Sequence, residues 1–414
     1  MQKKTTMLAA CAALAIGPGV AAEPHVLQVG PGRELTAPSR AASVATDGDV
    51  IEIDAGDYPA DVAVWTQNDL TIRGVGGRPH LRAEGAAAEG KAIWVVKGDR
   101  NRIESVEFSG ARVSDRNGAG LRLEGSGLTV LDCSFHDNEN GVLTSGRPDG
   151  DVVIERSEFA RNGAGDGQSH DLYIGKERSF TLRFSYVHHA IIGHLVKSRA
   201  RRTHVLYNRL SDEADGRSSL AVDLPEGGDA LVLGNLIHQG PDAENGGIVS
   251  YAAETTGLGH GGALYVLHNT IVNDRSAGTF VRNSSTAPAR LLNNLFVGPG
   301  EIASGRAIVS GNVVARELGV LTQLRNLWTG GRQFFQDLDD GGGNVVATDA
   351  GLVSVAGFDW RLRADSPAVD AGVAAGSGSD REHAPEFEYV HPAGARARSS
   401  DGIPDAGAYE LDAP

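Results

Sequence analysis

Cysteine is almost missing from this chain of 414 residues, which carries only Cys11 and Cys133. Cys11 falls in the N-terminal stretch expected to be removed, which leaves Cys133 without a partner for an intramolecular disulfide, so stability must come from packing. Long apolar runs are missing after the N-terminus. No later stretch approaches the ~20 consecutive apolar residues that a membrane-spanning helix needs. Positive charge is short as well, with 38 Lys and Arg against 53 Asp and Glu and a formal net charge of −15. An acidic chain of this kind repels phosphate backbones, which excludes nonspecific nucleic-acid binding. Aromatic residues make up 6% and form no evident stripe. That counts against a noncatalytic glycan-binding surface, which would need aromatic platforms for stacking sugars.

What is present begins with the leader MQKKTTMLAACAALAIGPGVAAEP. Lys3 and Lys4 precede an apolar run that ends in small residues before Glu23, the pattern of a cleaved secretory signal over residues 1–22. The mature chain, 23–414, is then expected in the periplasm or outside the cell. LAAC around Cys11 has the form of a lipid-attachment site. It is the weaker alternative, because the apolar stretch before it is short and apolar residues continue after it.

The mature region is built on a repeat. One short phrase recurs as IESVEF ending at Phe108, VLDCSF at Phe135, VIERSEF at Phe159, TLRFSYV at Val187 and VLYNRL at Leu210. It continues as VLGNLI at Ile237, VLHNTI at Ile271, LLNNLF at Phe296 and VSGNVV at Val314. Each phrase alternates apolar with polar and ends at a Gly-, Asn- or Asp-rich turn, as a short half-buried strand does. A second strand set lies between them: GLRLEG, GVLTSG, DLYIGK, HLVKSR, SLAVDL, GIVSYA and TFVRNS. The connections leave no room for helices and vary in length, which predicts an all-β solenoid of parallel sheets, a parallel β-helix. One column of the first phrase reads Val106, Cys133, Ser157, Ser185, Asn208, Asn235, Asn269, Asn294, Asn312. Stacked in the solenoid, these side chains form an internal ladder, with Cys133 as a buried, inert thiol. The end of a solenoid needs a cap. Residues 35–45, LTAPSRAASVA, read as a short amphipathic capping helix, so cap and coils form one domain over 23–414, expected to be monomeric.

The phrases FDWRLRADSPAVDAG (358–372) and DGIPDAGAYE (401–410) resemble the closing segments of secreted right-handed β-helix proteins of the pectate-lyase-like superfamily. The N-terminal DGDVIEIDAGDY resembles the opening of the same group. The resemblance covers nearly the whole mature chain and implies the fold. Because that superfamily holds lyases, hydrolases, epimerases, esterases and adhesins, it does not imply one reaction.

The outstanding local anomaly is GHLVKSRARR (193–202), which gathers Lys197, Arg199, Arg201 and Arg202 in an acidic protein. Strand alternation puts Lys197 and Arg199 on one face if Val196 and Ser198 point inward. Aligning the coils sets His170 beside His194 and Tyr173 beside Lys197. The next coils bring Asp223 and Glu226, then Tyr251 and Glu254, to the same face. This set suits β-elimination at a uronate, which needs a base for the C5 proton, a cation to neutralise the carboxylate and an acid for the leaving oxygen. Lys197 is the expected base, its neutral form favoured by the neighbouring arginines. Arg199 is the carboxylate partner, and Tyr173 or His194 the acid. His170 completes the catalytic candidates, and Asp171, Arg201, Asp223, Glu226, Tyr251 and Glu254 are expected to bind substrate, an anionic polysaccharide.

Lys197 and Ser198 resemble the Lys-Ser of the β-helical alginate lyase and chondroitin B lyase group. That resemblance implies a catalytic Arg one coil later, where this chain has Asp223, so only the lysine carries over. His170 with Asp171, followed by His194 and Arg199, is similar to the motif of β-helical mannuronan C5-epimerases. The leading Asp and Pro of that motif are replaced by Gln168 and Ser169. Epimerisation and elimination share C5 proton abstraction, so both imply the same pocket. A glycoside hydrolase would need paired carboxylates, for which Asp223 and Glu226 are the candidates. LDDGGGN (338–344) carries oxygens suited to Ca²⁺, although Asp and Gly are also ordinary turn residues. His136, His204 and His238 lie in or beside ladder phrases and are expected to be structural.

Overall fold

The structure, a computed structural model, describes residues 25–255, 261–316, 335, 338–374 and 384–411. The expected leader over 1–22, with Cys11, lies outside the described residues. Alternating apolar residues make short strands, and each strand pairs in parallel with its counterpart one coil later. The ladder phrases lie in register throughout, Phe108 beside Phe135, then Phe159, Val187, Leu210, Ile237, Ile271, Phe296 and Val314. The second strand set forms a ten-stranded parallel sheet of its own. The chain is a right-handed parallel β-helix. Among the described residues no helix is long and apolar enough to cross a membrane.

Apolar rings stack inside the coils. Phe108, Phe135 and Phe159 lie with centroids 4.9 Å apart and planes within 6° of parallel. Trp65 and Trp94 continue this stack edge-on toward the N-terminal end. The polar column runs beside them as a hydrogen-bonded ladder. Asn235 donates from its backbone N and its Nδ2 to Asn269 Oδ1, both at 2.9 Å. Asn269 does the same to Asn294 at 3.0 Å, and the ladder runs on through Asn312 to Asn344. Each of these Asn Nδ2 groups also donates to a strand carbonyl of the preceding coil, such as Val232 O from Asn269. Amides can satisfy donor and acceptor together, so a fully buried polar column costs little. Cys133 occupies its slot with a free, buried thiol whose pKa burial pushes up to about 12.

The capping helix is shorter than expected, Pro38–Ala42 rather than 35–45. Pro38 has no N–H to place inside a helix and fixes its first turn. Ser39 ties that turn to Asp61 through its backbone N at 3.0 Å. Ala41 and Ala42 are buried against the first coil. The C-terminal region forms two antiparallel pairs, Leu352–Ser354 with Asp359–Leu362 from the 358–372 phrase, and Phe387–Val390 with Gly394–Ala397. Trp360, Tyr389, Ala406 and Ala408 bury themselves against Leu236, Val272, Leu295 and Val313.

Candidate active site

The ten-stranded sheet carries the candidate site on its outer side. In Val196–Ser198, Val196 and Ser198 are wholly buried and Lys197 points outward. Gly193 lets the chain enter this strand, since a Cβ there would lie 2.0 Å from Ser169 O. Lys197 pairs in register with Tyr173 on one side and Asp223 on the other. The ladder continues past the strand, where Arg199 N donates to Ile174 O at 2.9 Å. The Arg199 side chain therefore emerges beside Lys197.

Tyr173, Lys197, Arg199, His194, Asp223, Glu226 and Glu254 meet on this face. Lys197 Nζ is 3.4 Å from Asp223 Oδ2 and 3.8 Å from Glu254 Oε1. Arg199 donates from Nε to the Tyr173 hydroxyl at 3.0 Å, from Nη1 to Glu226 at 3.1 Å and from Nη2 to Glu254 at 2.7 Å. Lys176 also reaches Glu226, at 3.0 Å. The side chains of Lys197 and Asp223 are only 11% and 7% exposed, whereas Glu254 is 50% exposed. Glu254 is thus the most exposed carboxylate of the cluster.

Electrostatics follows from burial. The two histidines stack with centroids 4.6 Å apart. The backbone N of His194 donates to His170 Nδ1 at 3.0 Å, and that of Leu220 donates to His194 Nδ1 at 3.2 Å. Both rings are thus held as neutral tautomers protonated at Nε2. Burial, with Lys197 adding repulsion, pushes the His194 pKa down to about 3. Burial, then His194, Lys197 and Arg199, holds His170 well below its ordinary value. His194 Nε2 faces Asp223 Oδ2 at 3.4 Å. Burial raises the Asp223 pKa, against the pull of Lys197. Burial opposes the Arg199 cation, but Glu254 and Tyr173 outweigh it and hold its proton more tightly than usual.

Four expectations are corrected. Tyr251 faces the interior, 2% exposed, and its hydroxyl donates to Gly228 O at 2.6 Å. Its register partner Leu224 is also an inward position, so alternation turns it away from substrate. Asp171 is wholly buried and accepts from Asn162 Nδ2 at 2.7 Å, ending a second interior ladder from Asn138 and Asn162. Burial raises its pKa well above the usual range, and the His-Asp pair does not share the outer face. Arg201 follows the buried Ala200 around a corner and lines a separate depression with Arg178, Arg202 and Asp229. The arginine crowding expected around Lys197 is replaced by carboxylates. In 338–344, Asp340 accepts from Gly342 N and Asn344 Nδ2, and Asn344 ends the amide ladder.

Two residues passed over in the sequence lie in the same outward column. Arg122 precedes Lys197 by three strand steps, through Leu143 and Tyr173, and Arg282 follows it by three, through Asp223 and Ser250. At about 4.8 Å per step each stands about 14 Å from Lys197 along the axis. Their shared place in GLRLEG, HLVKSR and TFVRNS was the available signal. Arg282 lines a depression of about 940 Å³ with Arg275, Glu301 and Arg316.

No protein-family model and no curated protein matches this sequence. Its structure is a pectate-lyase-like parallel β-helix. It is similar to the crystal structure of pectate lyase Pel9A, with a TM-score of 0.54, 14% identity, and coverage of 94% of this chain and 98% of that chain. A structure of the PL6 family alginate lyase AlyGC gives a TM-score of 0.28 and 12% identity over 71% of this chain and 38% of that chain, too weak to bear on the site.

Proposed function

We propose that this protein is an exported polysaccharide lyase that cleaves a uronate-containing chain by β-elimination. The observation that carries this reading is the outward convergence of Tyr173, Lys197 and Arg199, with Arg199 hydrogen-bonded to the tyrosine hydroxyl. The fold it shares with pectate lyase Pel9A supports the reaction class.

The substrate lies along the helix axis across the outward column. Its uronate carboxylate takes the place of the half-exposed Glu254 on Arg199, and neutralisation there makes the C5 proton acidic. Displacement of Glu254 also takes one carboxylate away from Lys197, which gives its own proton to solvent and, as the free amine, removes the C5 proton. Electrons from the C5–H bond form the C4–C5 double bond as the C4–O bond breaks. The Tyr173 hydroxyl donates its proton to the departing oxygen. His194 is a poor acid, because its second ring nitrogen already accepts a backbone N–H and burial resists its charging. Its role is to hold Asp223, which in turn holds Lys197, and His170 supports His194 from behind. Arg122 and Arg282 bind uronates a few sugars away on either side.

A second reading rests on one observation: Asp223 and Glu254 both reach Lys197 Nζ. With burial raising the Asp223 pKa, the two resemble the acid and base of a glycoside hydrolase. Incubating the mature protein with alginate, pectate, glucuronan and glycosaminoglycans separates the readings. Elimination produces ultraviolet-absorbing unsaturated ends, hydrolysis produces reducing ends without that absorbance, and epimerisation exchanges the C5 proton without cleavage. Absence of unsaturated product on every polymer overturns the lyase reading.

A further inference from the structure

A different sheet carries a second cluster, near the N-terminal end of the solenoid, that the elimination chemistry does not use. His80 pairs in register with Glu107, and Ser109, two residues on, pairs with His136. Since residues two apart on a strand share a face, the four side chains project together from three successive coils. Glu107 Oε1 lies 3.4 Å from His80 Nε2 and 2.9 Å from His136 Nε2. Donor atoms from all three residues lie within 4.8 Å of one another.

Each ring turns its other nitrogen to a second carboxylate. His80 Nδ1 is 3.6 Å from Asp57 Oδ1, and His136 Nδ1 is 2.7 Å from Asp137 Oδ2. A neutral imidazole has one N–H and one lone pair. If the N–H of His136 serves Asp137, its Nε2 lone pair faces the Glu107 oxygen, and two acceptors meet. Either a further proton, on the ring or on a carboxyl group, or a metal ion must lie between them. The carboxylate–histidine pairs favour the metal, because they fix the tautomer that leaves Nε2 as a ligand. Ligand bonds of about 2.1 Å in a tetrahedral zinc site put donor atoms about 3.4 Å apart, the separation of Glu107 from His80, while the 2.9 Å between Glu107 and His136 would open by about 0.5 Å. Ser109 Oγ, 2.7 Å from His80 Nε2, stands beside the position left for a fourth ligand.

We propose that His80, Glu107 and His136 bind one divalent transition-metal ion of the zinc class, completed by water or the Ser109 hydroxyl, which clamps three coils together. Histidine ligands select such an ion over Ca²⁺ or Mg²⁺, which prefer all-oxygen shells.

Cobalt(II) serves as the probe, on untagged mature protein freed of metal by a chelator that is then removed. Visible cobalt absorption is expected to saturate at one equivalent, and added Co²⁺ or Zn²⁺ to raise Tm. Both effects are expected to vanish in His136→Gln and Glu107→Gln. Asp137→Asn, which keeps all three ligands, is expected to weaken Co²⁺ binding by about 10- to 100-fold. That variant keeps the test decisive if a ligand variant fails to fold. No saturable absorption in the wild type, or the same absorption in every variant, overturns the proposal and leaves a proton as the bridge in the cluster.

Discussion

The interior amide ladder and the outward column at Lys197 are built by the same parallel register, yet they solve opposite problems. Inside, Asn208, Asn235, Asn269, Asn294 and Asn312 repeat one side chain, and each amide satisfies the next. Outside, Arg122, Leu143, Tyr173, Lys197, Asp223, Ser250 and Arg282 change at every step. Repetition gives a stack that needs no ligand. Variation leaves charges whose partners can be exchanged, as Arg199 can exchange the half-exposed Glu254 for a substrate carboxylate.

The comparison can be broken first at Arg199. Arg199→Ala is expected to lower kcat/KM on the susceptible polymer by about 100- to 1,000-fold, as for loss of a preorganised charge partner, while Tm changes little. Asn269→Ala should do the reverse. It strands the two Asn235 donors and costs about 3 kcal/mol of stability, from the penalty for unmade buried hydrogen bonds, seen as a lowered denaturation midpoint. Ser157→Ala, in the part of the column without amides, where one hydroxyl serves Cys133 N and Glu155 O, should cost about 1 kcal/mol.

Acid sharpens the contrast. In the folded state His194 titrates near 3, against 6.5 for an ordinary histidine, and His170 is lowered as well. The unfolded chain therefore binds more protons between these values, so stability is full above about 6.5 and is lost as pH falls toward 3. Asp223, Lys197 and Arg199 surround these rings, and the raised Asp223 offsets part of the loss. Tm measured from pH 7 to 4 should fall, and less steeply in His194→Gln. The smallest effect is expected at Glu254. Glu254→Gln removes a competitor for Arg199 and should lower KM a few-fold in initial-rate measurements, with kcat little changed.

The fold was legible in the sequence because repetition betrays register. The phrase endings from Phe108 to Val314 align without a slip, and the Asn column lies where its spacing put it. The candidate site was legible only in part. Alternation correctly separates Lys197 from Val196 and Ser198, but it also turns Tyr251 inward, which a reading by proximity alone did not respect. Arg201 was misjudged because the chain turns a corner at Ala200. Asp171 carried no local sign of its inward direction, since its ladder partners Asn138 and Asn162 lie outside the repeated phrase. Pairs such as Arg199 with Glu254 depend on side-chain reach between coils, which spacing does not encode.

The central claim is that Lys197 is the base at the middle of the outward column. The most direct test compares wild type with Lys197→Arg, which keeps the cation beside Asp223 but supplies no neutral amine. Initial rates of unsaturated-product formation should fall by about 100- to 10,000-fold, the range for removal of a general base, with polymer binding retained. An arginine variant with wild-type rates would contradict the account.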